Sequence, residues 1–445
     1  MKTTKSWIIV SFVFLFLIGI IGMSWAASAA EPTRDSRTYF GYDVEGLEPV
    51  TIVWSSDAPL NSYGDAAAIG AKLLIEAESK GKIKIDLHRH SSLYGGRDIP
   101  RVLPIGTIDI GGINKGSLMS REIGYAPWVI GYVWKSPEHL MAVPCSPEWF
   151  EMEDKLAKDK WNLKPLALSA IGNWDYFSKK PFNSMKDFRG KKVWSYGQLS
   201  NAYIAAWGAT PVGKSTSEMY MSYYKGGLDI ISFTLIGYLH YKFIDCGKYY
   251  INMPVYPPGA IGIHYVMSYM NRDKWKSLPT AYKKIILDTF DLACWFGIWE
   301  ILCQEKLGYY RLVNEKNMVD CGISTKHPEE YEKIKTAAVE AGRKFVIKAG
   351  ATQEQWDEAQ SILKKYADPK YTSQYGWWFK LAWAEADRRL EEIKKSLKAG
   401  KSWDDAYLPF EFKRCNDWNT EQFKKAWLDV PRVKWEWNEA TRLQN

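Results

Sequence analysis

The sequence lacks the short motifs that mark common hydrolases and zinc proteins. It contains no G-x-S-x-G nucleophile turn and no H-E-x-x-H motif. None of its six cysteines forms a C-x-x-C pair, and no histidine stands at zinc spacing. These absences leave an enzymatic activity without support, and we expect no catalytic residue, no metal site and no cofactor.

The chain also lacks any block of like charges. Its formal net charge is +8, but acidic and basic residues are interspersed along its whole length. Nucleic-acid-binding proteins concentrate Lys and Arg in a patch or a stripe. The charge pattern therefore indicates an ordinary protein surface and no nucleic-acid partner.

Long apolar runs are missing everywhere except at the N-terminus. There, two lysines precede the apolar run Trp7–Met23, and small residues follow it. This order is typical of a secretory signal peptide over residues 1–30, with cleavage near Ala29 or Ala30. An uncleaved membrane anchor is the alternative, although the run is shorter than the ~20 residues of a spanning helix.

Aromatic side chains, in contrast, are abundant. The chain has 22 Trp, 27 Tyr and 17 Phe, together 15% of its residues. Trp and Tyr combine a large apolar face with one polar group. Many of them must lie in the core, and the excess leaves room for an aromatic-walled pocket.

Strand and helix patterns alternate in the first part of the chain. Val50–Trp54 and Ile83–Leu87 are predicted strands, Gly64–Ser79 between them is a predicted helix, and Gly106–Gly112 is a third predicted strand. This rhythm predicts an α/β fold with parallel strands.

The second half of the chain is predicted to be mainly helical. A helical period with one broad apolar face extends from Thr280 to Asn317 and is long enough to be kinked at Gly297. Further helices are predicted at Pro328–Lys348, Gln353–Tyr366 and Gly376–Ala399.

Seven short segments occur in a fixed order between these elements. They are Leu93–Gly96, Ile105–Ile110, Pro181–Val193, Gly208–Val212, Glu218–Tyr220, Gly227–Asp229 and Met270–Pro279. Each is weak alone, but their order and spacing resemble one family: the dicarboxylate-binding solute-binding proteins of tripartite ATP-independent periplasmic (TRAP) transporters. The resemblance covers roughly residues 50 to 320.

The resemblance implies a two-lobed α/β fold of the periplasmic-binding-protein type (type II-like), with a long inter-lobe helix. Lobe I would comprise residues 50–171 and 259–298, lobe II residues 172–258 and 299–325, and residues 326–445 an α-helical C-terminal extension. The implied protein is a periplasmic receptor. It would capture a small organic molecule between the lobes and deliver it to TRAP membrane permease subunits.

The chain departs from the family where the ligand is usually held. Two arginines of the family usually face the ligand carboxylate, which a guanidinium pairs with bidentately. At the matching positions this chain has Trp174 and Trp194. The replacement favours an aromatic or apolar ligand over a simple C4 dicarboxylate, with an organic acid or a cation as alternatives. The competing interpretation is that these tryptophans belong to the core.

The resemblance assigns four further residues to the ligand site: Phe233, Thr216, Asn114 and Asp57. Tyr94 and Arg97, which share one loop, are further candidate site residues, because Arg97 could supply the carboxylate contact that the two missing arginines would have made. Two other functions stay open: an exported ligand sensor of the same fold, and, with less support, an exported hydrolase.

Overall fold

The computed structural model describes residues 35–119, 123–128, 130–169, 171–214, 216–256 and 266–444. The predicted signal peptide, with its cleavage site near Ala29 or Ala30, lies outside these residues. Within them, none of the helices combines the length and the hydrophobicity that a membrane span requires.

The described residues contain eleven strands. They are β1 (Val50–Ser55), β2 (Ile83–His88), β3 (Ile110–Asn114), β4 (Leu163–Ser169), β5 (Trp174–Ser178), β6 (Lys192–Ser195), β7 (Thr210–Gly213), β8 (Ile230–Thr234), β9 (Tyr249–Tyr250), β10 (Val266–Asn271) and β11 (Val319–Asp320).

The strands form two mixed sheets. The first has the order β2-β1-β3-β10-β4 and the second the order β11-β9-β5-β8-β6-β7. In the first sheet β1 pairs in parallel with β2 and β3, whereas β10 is antiparallel to β3 and β4. In the second, β6 pairs in parallel with β7 and β8, and β5 is antiparallel to β8. Parallel neighbours need long crossovers, which the helices between them supply.

The described residues also contain seventeen α-helices. They are α1 (Tyr63–Glu78), α2 (Ile99–Val102), α3 (Lys115–Met119), α4 (Pro137–Ala142), α5 (Pro147–Trp161), α6 (Gln198–Ala206), α7 (Thr216–Tyr224), α8 (Leu235–His240), α9 (Arg272–Ser277), α10 (Thr280–Asn314), α11 (Ile323–Lys326), α12 (Pro328–Lys348), α13 (Gln353–Tyr366), α14 (Pro369–Lys398), α15 (Trp403–Tyr407), α16 (Thr420–Asp429) and α17 (Glu439–Leu443). Short 3₁₀ helices lie at Ile123–Trp128, Met185–Phe188, Phe243–Asp245, Leu408–Phe410 and Phe412–Asp417.

The long helix α10 is the spine of the molecule. It runs through Gly297 without a break for 35 residues, which corresponds to about 50 Å at ~1.5 Å per residue. The predicted single apolar face is wrong, because buried residues occur on every side of the helix. The helix packs against α1 and β4 on the first lobe, α8 on the second, and α14 and α16 of the C-terminal region.

The three predicted C-terminal helices are confirmed, with one boundary corrected. The last begins at Pro369 and not at Gly376, because the Asp368 side chain accepts from the Lys370 N–H at 2.8 Å and Pro369 occupies the first turn. The predicted strand at Gly106–Gly112 is also shifted, to Ile110–Asn114. Gly106 has a φ of 76° and lies in a turn before the strand.

Both ends of the described chain converge on one buried carboxylate in the middle of α10. Arg442 of α17 donates to Asp291 Oδ1 and Oδ2 at 2.8 Å, and Arg37 donates to Oδ2 at 2.8 Å. A third Arg442 hydrogen bond, at 2.8 Å, reaches the Leu166 carbonyl of β4. Asp291 and Arg442 are 0% and 2% exposed, so the cluster joins three separate segments inside the core.

We expect Arg442→Ala to lower the free energy of unfolding by about 3–5 kcal/mol, because it leaves a buried carboxylate with half of its partners. Urea denaturation of the variant and the parent chain measures the difference. Arg388→Ala is the matched control, since Arg388 forms its ion pairs on an exposed face of α14 and such pairs contribute about 1 kcal/mol or less. Equal losses in the two variants would contradict the role given to Asp291.

Candidate functional site

A cavity of about 790 Å³ separates the two sheets. The loop after β1, the start of α1, the ends of β3 and β4, the start of β5, the segment from β8 through α8, the middle of α10 and residues 411–413 surround it. Strands β1 and β3 are parallel, so their carboxyl ends reach the same edge of the first sheet, where α/β proteins usually bind ligands. The volume is in the range of small-molecule sites. We call this cavity the cleft.

The cleft is lined mainly by apolar and aromatic residues. Its aromatic side chains are Trp54, Tyr63, Trp174, Phe233, Tyr241, Phe290 and Phe412. Its longer polar side chains are Asp57, Asn61, His90, Asn114, His240, Gln304, Glu411 and Lys413.

Trp174 and Phe233 form the wall on the side of the second lobe. Trp174 begins β5, and Phe233 lies near the end of the adjacent strand β8. Their rings meet edge to face with centroids 5.7 Å apart, and Phe233 meets Tyr241 in the same way at 5.4 Å. The three rings therefore form one continuous aromatic surface that was predicted only in part.

Trp194 lies behind this wall and does not line the cleft. Its ring stacks on Trp174 at 5.9 Å with an interplanar angle of 11°, and its Nε1–H donates to the Lys214 carbonyl at 3.0 Å. Its side chain is buried against the core of the second lobe. Trp194 can therefore act on a ligand only by holding Trp174 in place.

Asp57 and Asn114 line the cleft from the first lobe. Asn114 Oδ1 accepts the Gly116 N–H at 2.8 Å, which fixes the amide at the end of β3. Asp57 follows β1 and lies against Gly96, where an added Cβ would stand 2.2 Å from Asp57 Oδ2. Only glycine leaves space there for the carboxylate.

The structure does not bring every predicted site residue to the cleft. Tyr94 is half-buried, and its backbone is held by Ser55, whose hydroxyl donates to the Tyr94 carbonyl at 3.0 Å and accepts the Tyr94 N–H at 3.1 Å. Arg97 is exposed, and neither Tyr94 nor Arg97 lines the cavity. Thr216 begins α7, and its side chain lies outside the described part of the structure.

Five of the seven cleft aromatics were not predicted as site residues: Trp54, Tyr63, Tyr241, Phe290 and Phe412. Tyr63 belongs to α1, Tyr241 follows α8, and Phe412 comes from the C-terminal region. No local pattern separates these rings from core aromatics. Tyr63 is the first residue of α1, and the position of Phe412 depends on long-range packing.

Two buried carboxyl groups lie behind the wall. Burial raises the pKa of Asp175 to about 7, although the Tyr250 hydroxyl at 2.6 Å and the Met253 N–H at 2.8 Å both donate to it. Burial, and then the charge of Asp175, raises the pKa of Glu305 to about 8. Glu305 Oε2 is buried without a hydrogen-bond partner. Gly172 leaves the space that Glu305 needs, because an added Cβ would stand 2.3 Å from its Oε1.

The segment Gly208–Ser215 fits the G-x-x-x-x-G-K-S spacing of a phosphate-binding loop, a pattern that the sequence reasoning overlooked. Such a loop follows a strand and leaves its N–H groups free for phosphate. Here the segment follows helix α6, and its centre is strand β7, which pairs with β6 from Thr210 to Gly213. The paired backbone excludes a phosphate loop.

The described residues contain no group of three or more His, Cys, Asp or Glu side chains that could hold a metal ion. All six cysteines lie within the described ranges and are unpaired, and four of them are buried. The structure therefore contains no disulfide bond among these six cysteines.

Comparison with known proteins identifies relatives of the two lobes. The family model of bacterial extracellular solute-binding protein family 7 matches residues 55–348. The sialic acid-binding periplasmic protein SiaP of Vibrio cholerae is 30% identical over 173 residues, which are 38% of this chain and 53% of that protein. The chain spans about half the length of the curated relatives it matches.

Solved structures share the fold. A TRAP periplasmic solute-binding protein from Ochrobactrum anthropi aligns with a TM-score of 0.62 at 20% identity, covering 74% of this chain and 98% of that one. DctP7 of Bordetella pertussis, an extracytoplasmic solute receptor that binds pyroglutamic acid, aligns with a TM-score of 0.60 at 17% identity, covering 72% and 100%. These alignments confirm the predicted two-lobed α/β fold.

We expect Glu305→Gln to flatten the pH dependence of stability. A carboxyl whose pKa rises from 4.5 to about 8 on folding keeps a proton that the unfolded chain releases, so stability falls as pH rises through this window. Each unit of difference corresponds to about 1.4 kcal/mol. Thermal melting at about pH 5 and about pH 8 should show a smaller drop for the variant. Glu391→Gln, on the exposed face of α14, should keep the parent drop, and a parent-like drop in Glu305→Gln would refute the burial argument.

Proposed function

The chain belongs to the bacterial extracellular solute-binding protein family 7, and from this membership we propose that it is the solute receptor of a TRAP-type transporter. The receptor binds one small organic molecule between its lobes and presents it to the membrane permease subunits. It is a binding protein and not an enzyme. The proposed location is the periplasm, reached with a signal peptide that is cleaved near Ala29 or Ala30.

One observation carries this proposal: the cleft lies between the two lobes and is bordered by the helix that joins them. A molecule held there contacts the loop after β1 and the end of β3 on one side, and β5 and β8 on the other. Movement of one lobe against the other about α10 would enclose it and remove most of its solvent. Closure of this kind reports to a partner whether the site is occupied.

We propose that the two lobes that move during closure have the boundaries given by the sequence resemblance. Lobe I is built from residues 50–171 and 259–298, lobe II from residues 172–258 and 299–325, and residues 326–445 form the extension. This division places one sheet in each lobe, with α10 shared between them.

The aromatic wall supports an aromatic or apolar ligand. Trp174 stands where the family usually has a carboxylate-binding arginine, and the described residues that line the cleft include no arginine at all. SiaP and DctP7, by their names, bind sialic acid and pyroglutamic acid. A dicarboxylate in this cleft would face Trp174, Phe233 and Tyr241, which offer it apolar faces and no cation.

Two matched sets of compounds test the proposal on the purified mature chain. The sets are benzylamine, benzyl alcohol and benzoate, and tryptamine, indole and indole-3-acetate, with succinate as the dicarboxylate reference. Binding to the folded state raises the melting temperature by mass action. We expect members of the aromatic sets to raise it and succinate to leave it unchanged; a rise with succinate alone would reject the aromatic site.

We expect Trp174→Leu to weaken the best aromatic compound by about tenfold or more, because an aromatic contact of about 0.5–1.5 kcal/mol is lost together with buried area. Isothermal titration measures the affinity. Trp383→Leu is the matched control: Trp383 is a half-buried tryptophan of α14 that does not line the cleft. Equal affinity of the parent chain and Trp174→Leu would show that the wall does not contact the ligand.

A further inference from the structure

The charged side chains that line the cleft differ in whether they have an ion-pair partner. Glu411 has two cationic neighbours, Arg311 Nη1 at 3.5 Å and Lys413 Nζ at 3.7 Å. Lys413, the lysine of the described lining, is thereby paired. Burial and the neighbouring Arg311 lower the pKa of His240, so this imidazole is neutral at pH 7.

Asp57 is different, because its carboxylate has no ion-pair partner among the described residues. It is exposed to solvent and lines the cleft. Burial, and then the charge of Asp57, raises the pKa of both Tyr63 and Tyr241. Asp57 and Tyr63 line the cleft from the first lobe, and Tyr241 lines it from the opposite lobe.

Resting on the receptor function proposed above, we propose that the ligand is an organic cation: an ammonium or similar group attached to an aromatic or other apolar body. Asp57 is the counter-charge of the cationic group. The aromatic surface of Trp174, Phe233 and Tyr241 receives the body.

The energetics of closure lead to this choice. When the lobes close, Asp57 loses the water that now solvates it, and an unpaired carboxylate in such a place costs several kcal/mol. A cation in the ligand removes this cost, whereas an anion adds like-charge repulsion to it. Aromatic faces add a favourable electrostatic interaction with a cation above them. The carboxylate and the rings thus favour the same ligand charge.

The two matched compound sets test the charge directly, since each ring is offered in cationic, neutral and anionic form. We expect benzylamine or tryptamine to bind about tenfold or more tightly than its anionic partner. Asp57→Asn should weaken the amines about tenfold and leave benzyl alcohol and indole within about twofold. Asp86→Asn, an exposed aspartate on β2 outside the cleft, should change neither.

The outcomes separate this inference from the receptor function. Tight binding of benzoate or indole-3-acetate, or an Asp57→Asn variant with parent affinity for the amines, overturns the cation and leaves the aromatic receptor standing. Melting shifts with succinate alone, or with none of the compounds, overturn both.

A second inference comes from residues 407–416, which we call the C-terminal segment. This segment lies beyond the family match, which ends at residue 348. The segment is tied to α10 and to the first lobe. The Tyr407 hydroxyl donates to the Leu307 carbonyl at 2.9 Å, and Gln304 donates to the Phe410 carbonyl. Asn416 donates to Asn61 at 2.6 Å, at the rim of the cleft.

We infer that the part of this segment at residues 411–413 is a third wall of the ligand site, with Phe412 as a specificity-determining residue. The Phe412 ring meets Tyr63 edge to face at 6.2 Å and lines the cleft beside it. Neither lobe of the family core supplies this surface, so the bound molecule must fit a shape that the extension sets.

Phe412→Leu keeps the apolar volume and removes the ring, and we expect it to weaken the tightest aromatic compound about fivefold or more. Phe410→Leu is the control, because Phe410 belongs to the same segment without lining the cleft. The melting temperature of each variant without ligand separates a loss of fold from a loss of contact. Equal affinities for Phe412→Leu and Phe410→Leu, or a parent chain that binds none of the compounds, overturn the inference.

Discussion

The buried carboxylate of Asp291 holds the molecule together. It lies in the middle of α10 and accepts hydrogen bonds from Arg37, at the start of the described chain, and from Arg442, at its end. A charge this deep is tolerated only when its partners are in place. The segment that carries Arg37, the helix α10 and the C-terminal region therefore form one cooperative unit. Phe290, the preceding residue, lines the cleft. The same turn of α10 therefore joins the structural centre to the candidate site.

This arrangement explains why the C-terminal region is part of the site and not an appendage. Arg389 of α14 donates to both oxygens of the buried Glu300 at 2.8 Å, and Phe423 and Trp427 of α16 fill the space beside Gly70 of α1. The region is fixed to α10 and to the first lobe. The C-terminal region and the first lobe therefore present one rigid surface to the second lobe. The volume between this surface and the second lobe limits the size of the molecule that the cleft can enclose.

The sequence predicted the regular elements well and the site in part. Strands with strict alternation, such as Ile83–His88, and helices with capping residues were predicted because their signals are local. Trp174, Phe233, Asn114 and Asp57 all reach the cleft. Trp194 does not. It was assigned from a position matched to the family, and in this chain its ring packs behind Trp174. Phe412 could not be predicted, since its place depends on contacts with residues more than 300 positions away.

Replacing an arginine by Trp174 changes the kind of energy that selects a ligand. A guanidinium clamp recognises an acid through paired hydrogen bonds, which persist while the site is still wet. The proposed aromatic wall with its unpaired carboxylate would recognise a ligand through desolvation, because apolar burial and ion pairing both strengthen as water leaves. On this proposal, selectivity in the cleft depends on closure. An open cleft would discriminate weakly, and full discrimination would appear only when Trp174 and Asp57, on opposite lobes, enclose the same molecule.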